Sequence, residues 1–426
     1  MIVYIVATAL TCLLVWFGER QERKWPWRIC AALPLMIVSA IRWDVGTDFY
    51  HTYYPASLAF ECIKGGALPD QIDKAFAPLM RRLGCAEFNT PMKLYGNFVS
   101  SVKCLGPGYR SVMEVAWWFG GGIRTHMAIF AILTGILVFV AIYRQSKWPT
   151  LAAFLYVTTS NYFLSLNIVR QYFAVAIGLV AVEFVRIRKP IPFFACIAVA
   201  AIFHPSAIVL LPLYFVGRIE LRFKWCALLV AAAAAVAPFA APAAIWGLET
   251  LGMHRYAGYF QSNYRTDGFE WMFFAVNLAF LVFGGWYWER AKKVSRYFVI
   301  WYNMTLIGTI FLAFSGSFPL MKRINYYFAA PQFLLLPEIL LAESRPVVRK
   351  ALTALVIVGF LFESAVAVWM FNKNEPLPYC VTCHPKHVSP RGPFASRPFE
   401  WMPKKKVSPI PRPSVSAKLP ATSRKP

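Results

Sequence analysis

The stretch ICAALPLMIVSAIRWDVGTDFY, residues 29–50, joins an apolar run to a charged one with no spacer between them. Ile29–Ile41 carries no charge, whereas Ile41–Tyr50 sets one arginine, two aspartates, a glycine and a tyrosine within ten positions. A charged side chain costs about 2.5–3.5 kcal/mol at the centre of a membrane helix, so charges there are paired, hydrated or functional. The abrupt change therefore reads as the end of a membrane helix, with a candidate site at the boundary. A solvated loop with one anchoring arginine gives the same pattern. The rest of the chain has to decide between them.

Composition points to the membrane. The 426 residues are 58% hydrophobic and 17% aromatic, and only 15% are charged. Soluble domains hold roughly a quarter charged residues. Helices that face lipid on one side and each other on the other need this excess of apolar residues. Met1–Phe17 has no basic start and no small-residue cleavage site, so it reads as a retained first helix. The net charge of +24 would suggest nucleic acid in a soluble protein. Here the positive residues sit in short loops and in the C-terminal segment, and no nucleic-acid motif is visible. The expected partner of that charge is membrane lipid, with no nucleic acid.

Working outward from residue 41, twelve apolar segments follow one another: Ile2–Phe17, Ile29–Ile41, Met127–Tyr143, Trp148–Tyr162, Ile168–Val185, Ile191–Phe203, Ser206–Val216, Cys226–Trp246, Trp271–Trp288, Tyr297–Phe314, Tyr326–Leu341 and Ala351–Phe371. The loops at alternate ends hold nineteen Lys and Arg, among them Arg20, Arg144, Arg186, Arg218, Arg290 and Arg345. That bias marks those loops cytoplasmic. The expected fold is an all-α polytopic membrane protein of about 12 transmembrane helices, with both termini outside. Residues 1–372 form the membrane domain, with extracytoplasmic loops at about 42–126, 247–270 and 315–325. In the long first loop, Asp70–Leu83 has weak helical spacing. Ser111–Phe119 is apolar but too short to span, which suits a re-entrant piece beside Gly120–Gly122. Residues 373–426 hold twelve prolines, eleven Lys or Arg and two Glu, and are expected to be a disordered tail.

Nine cysteines are scattered along the chain. Cys12, Cys30, Cys196 and Cys226 lie in or beside apolar segments and read as buried hydrophobes. Cys62, Cys85 and Cys104 share the long loop, where an odd count leaves one thiol over. Cys380–His384 fits C-x-x-C-H, the haem-attachment pattern. A disulfide, a metal site with His387 or a chance match in a biased segment fits as well, and no folded surroundings would shield a haem. No metal ligand set and no cofactor is expected.

The expected topology brings a set of polar residues to one side. Arg42, Asp44 and Asp48 follow the second segment; Asn167, Arg170 and Gln171 open the fifth; His204 lies between the sixth and seventh; Arg323 precedes the eleventh. Arginine suits phosphate, because its fork makes bidentate contacts and its charge persists away from water. An aspartate or histidine among arginines can take a proton from an attacking hydroxyl. The pattern describes a site for a lipid-linked phosphate or pyrophosphate, with Asp48 and His204 as candidate catalytic bases. Arg42, Arg170, Gln171, Arg323 and Tyr50 are the candidate substrate or pyrophosphate contacts. Each has a plainer reading. Arg42 and Arg323 can be snorkelling anchors, Asp44 can pair with Arg42, and His204 before Pro205 can satisfy a helix-end carbonyl. Tyr50, Tyr53 and Tyr54 can belong to an interfacial aromatic belt rather than to a sugar-stacking surface. Arg170 is the hardest to explain plainly, because it lies inside an apolar helix.

Several short motifs add to this. RWDVGTDFYHTYY resembles the arginine–glycine–threonine–aspartate–tyrosine signature of the EpsG family, which is similar to the Wzy-type polysaccharide polymerases. Gly106–Tyr109 is similar to that family's Glu-Pro-Gly-Tyr segment. Asn167–Gln171 with Ala174 resembles its Leu-Arg-Gln helix, Phe203–Ala207 its Phe-His-x-Ser-Ala turn, and Arg323 through Tyr327 its late Arg…Tyr. Order and spacing hold from about residue 1 to 380. Gly106 departs from the pattern, standing where the family has glutamate, which favours Asp48 as the carboxylate. The segment after Tyr379 has no counterpart. The resemblance implies exopolysaccharide or capsule synthesis at the cell inner membrane by a multi-pass protein. The reaction would be glycosyl transfer at the outer face, joining repeat units on a polyprenyl-pyrophosphate carrier. It also implies a flippase and a chain-length regulator as neighbours in the pathway. The alternatives are a single-sugar transferase or ligase of the same pathway, and a secondary transporter, which would hold its charges nearer the midplane.

Overall fold

The computed structural model describes residues 1–65, 105–250, 269–318, 320–374, 376, 377, 379 and 381. The helix expected at Asp70–Leu83, the tyrosines and arginines of 251–268, the cysteines and histidine of the Cys380–His384 motif and the tail after it lie outside the described residues.

Helices make up the fold, and no strand occurs among the described residues. In chain order they are α1 (Ile2–Gly18), α2 (Lys24–Ile41), α3 (Tyr54–Lys64), α4 (Pro107–Trp118), α5 (Ile123–Gln145), α6 (Pro149–Thr158), α7 (Asn161–Asn167), α8 (Val169–Arg186), α9 (Pro190–Phe203), α10 (Leu213–Val216), α11 (Phe223–Thr250), α12 (Trp271–Trp286), α13 (Trp288–Val294), α14 (Phe298–Ala313), α15 (Met321–Ala329), α16 (Gln332–Leu341) and α17 (Pro346–Ala365).

Among the described residues, three helices are long and apolar enough to cross a membrane by themselves: α5, α11 and α17 with its continuation to Met370. The pair α12–α13 passes the same test together but bends by 84°. Six shorter apolar helices among the described residues run 10–17 residues. Much of this shortening has local causes. The expected segment Trp148–Tyr162 is cut by Ser160, which stands at φ 63°, so α6 ends and α7 begins there. Tyr326–Leu341 is divided at Pro331, which precedes α16. Ser206–Val216, read from sequence as a span, is not one continuous helix. It forms a 3-10 turn over Pro205–Leu210 followed by the single-turn α10. Pro205 and Pro212 lack the N–H groups that a continuous helix there would use. Ser111–Phe119, expected not to span, forms the end of the 12-residue α4 with Phe119 as its C-cap.

Two ends of the bundle can be defined from contacts. Arg42 at the end of α2 reaches Met127 Sδ near the start of α5 and the Leu166 carbonyl at the end of α7. At the other end the Arg28 guanidinium lies 4.9 Å from the Tyr143 ring, and Gln145 donates to the Leu179 carbonyl at 2.7 Å. Thus α2 and α5 run antiparallel, and α8 starts at the Arg42 end. Helix α8 is buried on all its faces, including Val169, Phe173, Ala176 and Val182. It packs on α5, α9 and α15. A helix apolar all round belongs in an interior. In contrast α17 has no buried residue, and Trp246, Trp286 and Phe362 are each more than 70% exposed. Apolar exposure on that scale is a surface for lipid. The protein is a helical membrane protein with α8 at its centre.

Candidate functional site

The Arg42 end of α8 carries the site. Ile168, at φ −88° and ψ 55°, breaks the chain between α7 and α8, so Arg170 and Gln171 fall in the first turn of α8. Leu320 in the left-handed region starts α15, so Arg323 falls in its first turn. His204 occupies the turn between α9 and the 3-10 segment. Asp48 closes the loop after α2. Together Asp48, Tyr53, Ile168, Arg170, Gln171, His204 and Arg323 line one polar pocket with about 220 Å³ of empty space. Four stretches separated by more than thirty residues thus meet at one point. Their meeting is the geometry that the sequence alone leaves open.

The lining of this pocket sets two arginines against one carboxylate, Asp48. Two arginines contribute formal charge, and both sit where helix N-termini already present partial positive charge. A cation at a helix N-terminus is disfavoured by about 0.3–1 kcal/mol, so placing two there makes sense when an anion completes the site. Among their contacts, Arg170 donates through Nη1 to the Leu105 carbonyl at 2.7 Å, and the Arg323 carbonyl accepts from Gln171 Nε2 at 2.7 Å. Gln171 therefore ties α8 to α15 and fixes the two arginines relative to each other.

His204 has a defined tautomeric environment. Its Nδ1 lies 2.6 Å from Ser206 Oγ and 3.3 Å from the Tyr327 hydroxyl, and Ser206 Oγ lies 3.0 Å from that hydroxyl. The ring sits outside the helices, and burial, then Arg170 and Arg323, pull its pKa down to about 4. It is therefore a neutral imidazole at neutral pH, the form that accepts a proton.

Asn167 organises the other side. Its Oδ1 accepts from Thr47 Oγ1 at 2.9 Å and from the Asp48 backbone N–H at 2.9 Å, while its Nδ2 donates to Asn374 Oδ1 at 3.3 Å. The sequence groups Asn167 with the polar residues of this end but gives no sign of this bridging position. Ser206 and Tyr327 belong to the same class: the short motifs contain them, yet the contacts of Tyr327 with His204 and Ser206 span more than 120 residues.

Arg42 is not brought into the pocket. It is 5% exposed and donates to the Ser39 and Leu166 carbonyls, which caps the C-terminus of α2 and ties it to α7. The Tyr50 side chain lies outside the described residues. Tyr53 lines the pocket but is buried, its ring stacked on Tyr109 at 5.4 Å. Tyr54 packs against Trp43 and Phe49. The buried Tyr53 ring thus offers no free sugar-stacking face. Tyr109 continues the stack onto Phe130 at 4.9 Å. Among the described residues no three His, Cys, Asp or Glu side chains converge as metal ligands.

The model of the EpsG family matches residues 25–381, most of the chain. The chain belongs to the EpsG family. Membership makes this a membrane protein of exopolysaccharide biosynthesis. No curated protein and no solved structure matches the chain. In this EpsG-family protein the Gly106–Tyr109 motif is a packing device. A Cβ on Gly108 would come 2.9 Å from the Phe203 ring and 3.0 Å from Ile202 Cγ2. Gly108→Val should force α4 from α9 beside His204, at about 1–3 kcal/mol for such overpacking. The expected result is a lower protein level in membranes, read by immunoblot, with polymer falling in parallel. A wild-type level would mean that the α4–α9 contact is slack.

Proposed function

We propose that the protein is a polysaccharide repeat-unit polymerase, a membrane glycosyltransferase that joins polyprenyl-pyrophosphate-linked oligosaccharides at the outer face of the cell inner membrane. The observation that carries this reading is the single pocket shared by Arg170, Arg323, Gln171, Asp48 and His204. It couples an anion-binding end to two proton acceptors. In glycosyl transfer the acceptor hydroxyl oxygen attacks the anomeric carbon of the donor sugar. The bond from that carbon to the pyrophosphate oxygen breaks, and polyprenyl pyrophosphate leaves with the electron pair. Arg170 and Arg323 neutralise the charge that grows on the leaving group. Fixed charges of this kind act where water is excluded and need no reorganisation during the reaction.

The hydroxyl proton goes to His204 or Asp48. When His204 Nδ1 donates to Ser206 Oγ, and Ser206 donates onward to Tyr327, Nε2 presents its lone pair to the pocket. Asp48 is the second acceptor, positioned through its backbone N–H on Asn167. Loss of a general base costs about 10²–10⁴-fold in rate. In matched strains His204→Gln and Asp48→Asn should therefore both reduce polymer, and the acceptor shows the larger loss.

A deletion strain tests the reading as a whole. It should accumulate single repeat units on the polyprenyl carrier, with no long polymer, when extracted lipid-linked glycans are sized by mass spectrometry. Accumulation of an incomplete repeat unit would instead make the protein a single-sugar transferase. Full-length polymer in the deletion strain would overturn both.

A further inference from the structure

A second cavity lies at the same end of the bundle, between α7, α12, α15 and α17, with about 910 Å³ of empty space. Its walls include the rings of Phe273, Phe280, Tyr326 and Phe360. Set among them is a chain of amides: Gln332 Nε2 donates to Asn277 Oδ1 at 2.8 Å, and Asn277 Nδ2 donates to Asn325 Oδ1 at 2.9 Å. The chain ends at Asn325 Nδ2, which is buried and has no hydrogen-bond partner in the protein. Asn325 itself is 0% exposed. Turning all three amides over would leave Asn325 Oδ1 in the same position. In either orientation a hydroxyl matches the open end, since it both donates and accepts. Glu363 Oε2, also on the wall, is buried without a hydrogen bond as well.

We propose that this cavity is a sugar-binding subsite that holds a ring of the glycan next to the charged pocket, with Asn325 as its central hydroxyl contact. An apolar lipid chain fills the space but leaves the buried Asn325 Nδ2 unmatched. A pyranose ring offers both what the walls offer: an apolar face for the aromatic rings and hydroxyls for the amides and the carboxylate. The cavity is joined to the charged pocket twice. Asn325 and Tyr326 follow Arg323 within α15. Asn374, on the cavity wall, accepts from Asn167, which also holds Asp48. A sugar seated here therefore lies beside the groups assigned to the transfer, and this inference rests on that reading for the identity of the glycan.

The test uses the purified full-length protein in detergent and, as probe, oligosaccharides from partial acid hydrolysis of the producing strain's own polymer. These fragments carry neither pyrophosphate nor polyprenyl. Wild-type protein should bind them by isothermal titration calorimetry. Asn325→Leu, which removes the open polar atom, should bind about tenfold more weakly, the loss expected for one buried hydrogen bond. Ala329→Phe, which fills the cavity while leaving all three amides in the sequence, should abolish binding even if Asn325→Leu does not fold. Arg170→Ala should bind like wild type, because the probe lacks a pyrophosphate. Unchanged affinity in both cavity variants, equal loss in Arg170→Ala, or displacement of the probe by a polyprenyl phosphate would each overturn the proposal. So would absence of binding to wild type. None of these outcomes depends on whether the deletion strain accumulates repeat units, so the two readings fail separately.

Discussion

Cells carrying Arg170→Ala are expected to make no long polymer while keeping the protein in the membrane at its normal level. Arg170 stands in the first turn of α8, where the helix N-terminus and its own charge point the same field at the pocket. Removing one preorganised group of this kind costs about 10²–10³ in rate. A chain-extending enzyme repeats that step for every unit, so such a loss leaves mainly single units on the carrier. Arg170→Lys keeps the charge but loses the fork that pairs with two phosphate oxygens. It should restore short products rather than full chains. The readout separates chemistry from structure. Arg170 also donates to the Leu105 carbonyl, and a purely structural arginine would lower protein abundance when removed. Arg42→Ala provides that contrast: its guanidinium is spent on the Ser39 and Leu166 carbonyls, so its loss should reduce abundance more than activity per molecule. Polymer of normal length in Arg170→Ala cells with normal abundance would remove the arginine from the reaction.

Much of this arrangement is legible in the sequence, and the reasons differ from residue to residue. Arg170 announces itself because an arginine in SLNIVRQYFAVAIGLVA has no cheap explanation. Asp48, His204 and Arg323 are visible because loop charge places their segments at one end. Arg42 carries the same signal with a different outcome, since burial against carbonyls and exposure to a ligand look alike in one dimension. Helix continuity is less legible. Ser160 at φ 63° and the Pro205–Leu210 turn break apolar runs that hydropathy joins. The amide chain is hidden for a further reason. Asn277, Asn325 and Gln332 are single polar residues in apolar helices, and the Asn277 links span roughly fifty residues each. Nothing local distinguishes them from isolated, satisfied core amides.

Gly46→Ala is expected to be nearly as damaging as Arg170→Ala, by a wholly steric route. Gly46 stands at φ 98°, in the region that costs an L-residue about 1–2 kcal/mol. Its missing side chain also faces backbone: a Cβ would lie 3.0 Å from Asn167 Cα and 3.0 Å from the Leu166 carbonyl oxygen. Neither can swing aside as a side-chain tip can, so overpacking adds about 1–3 kcal/mol. Relief requires the loop to lift from the α7–α8 junction. Lifting it pulls Thr47 and the Asp48 N–H from Asn167 Oδ1, and Arg42 from the Leu166 carbonyl. One methyl group thus displaces Asp48 from the pocket although it touches no pocket residue. Polymer should fall to near zero, with protein abundance at or somewhat below normal. Gly120→Ala is the control for strain alone: Gly120 has φ 68°, but a Cβ there meets nothing within 4 Å. It should cost only the backbone term and leave polymer close to wild type. Equal behaviour of the two variants would mean that close packing on Asn167 does not hold Asp48 in place.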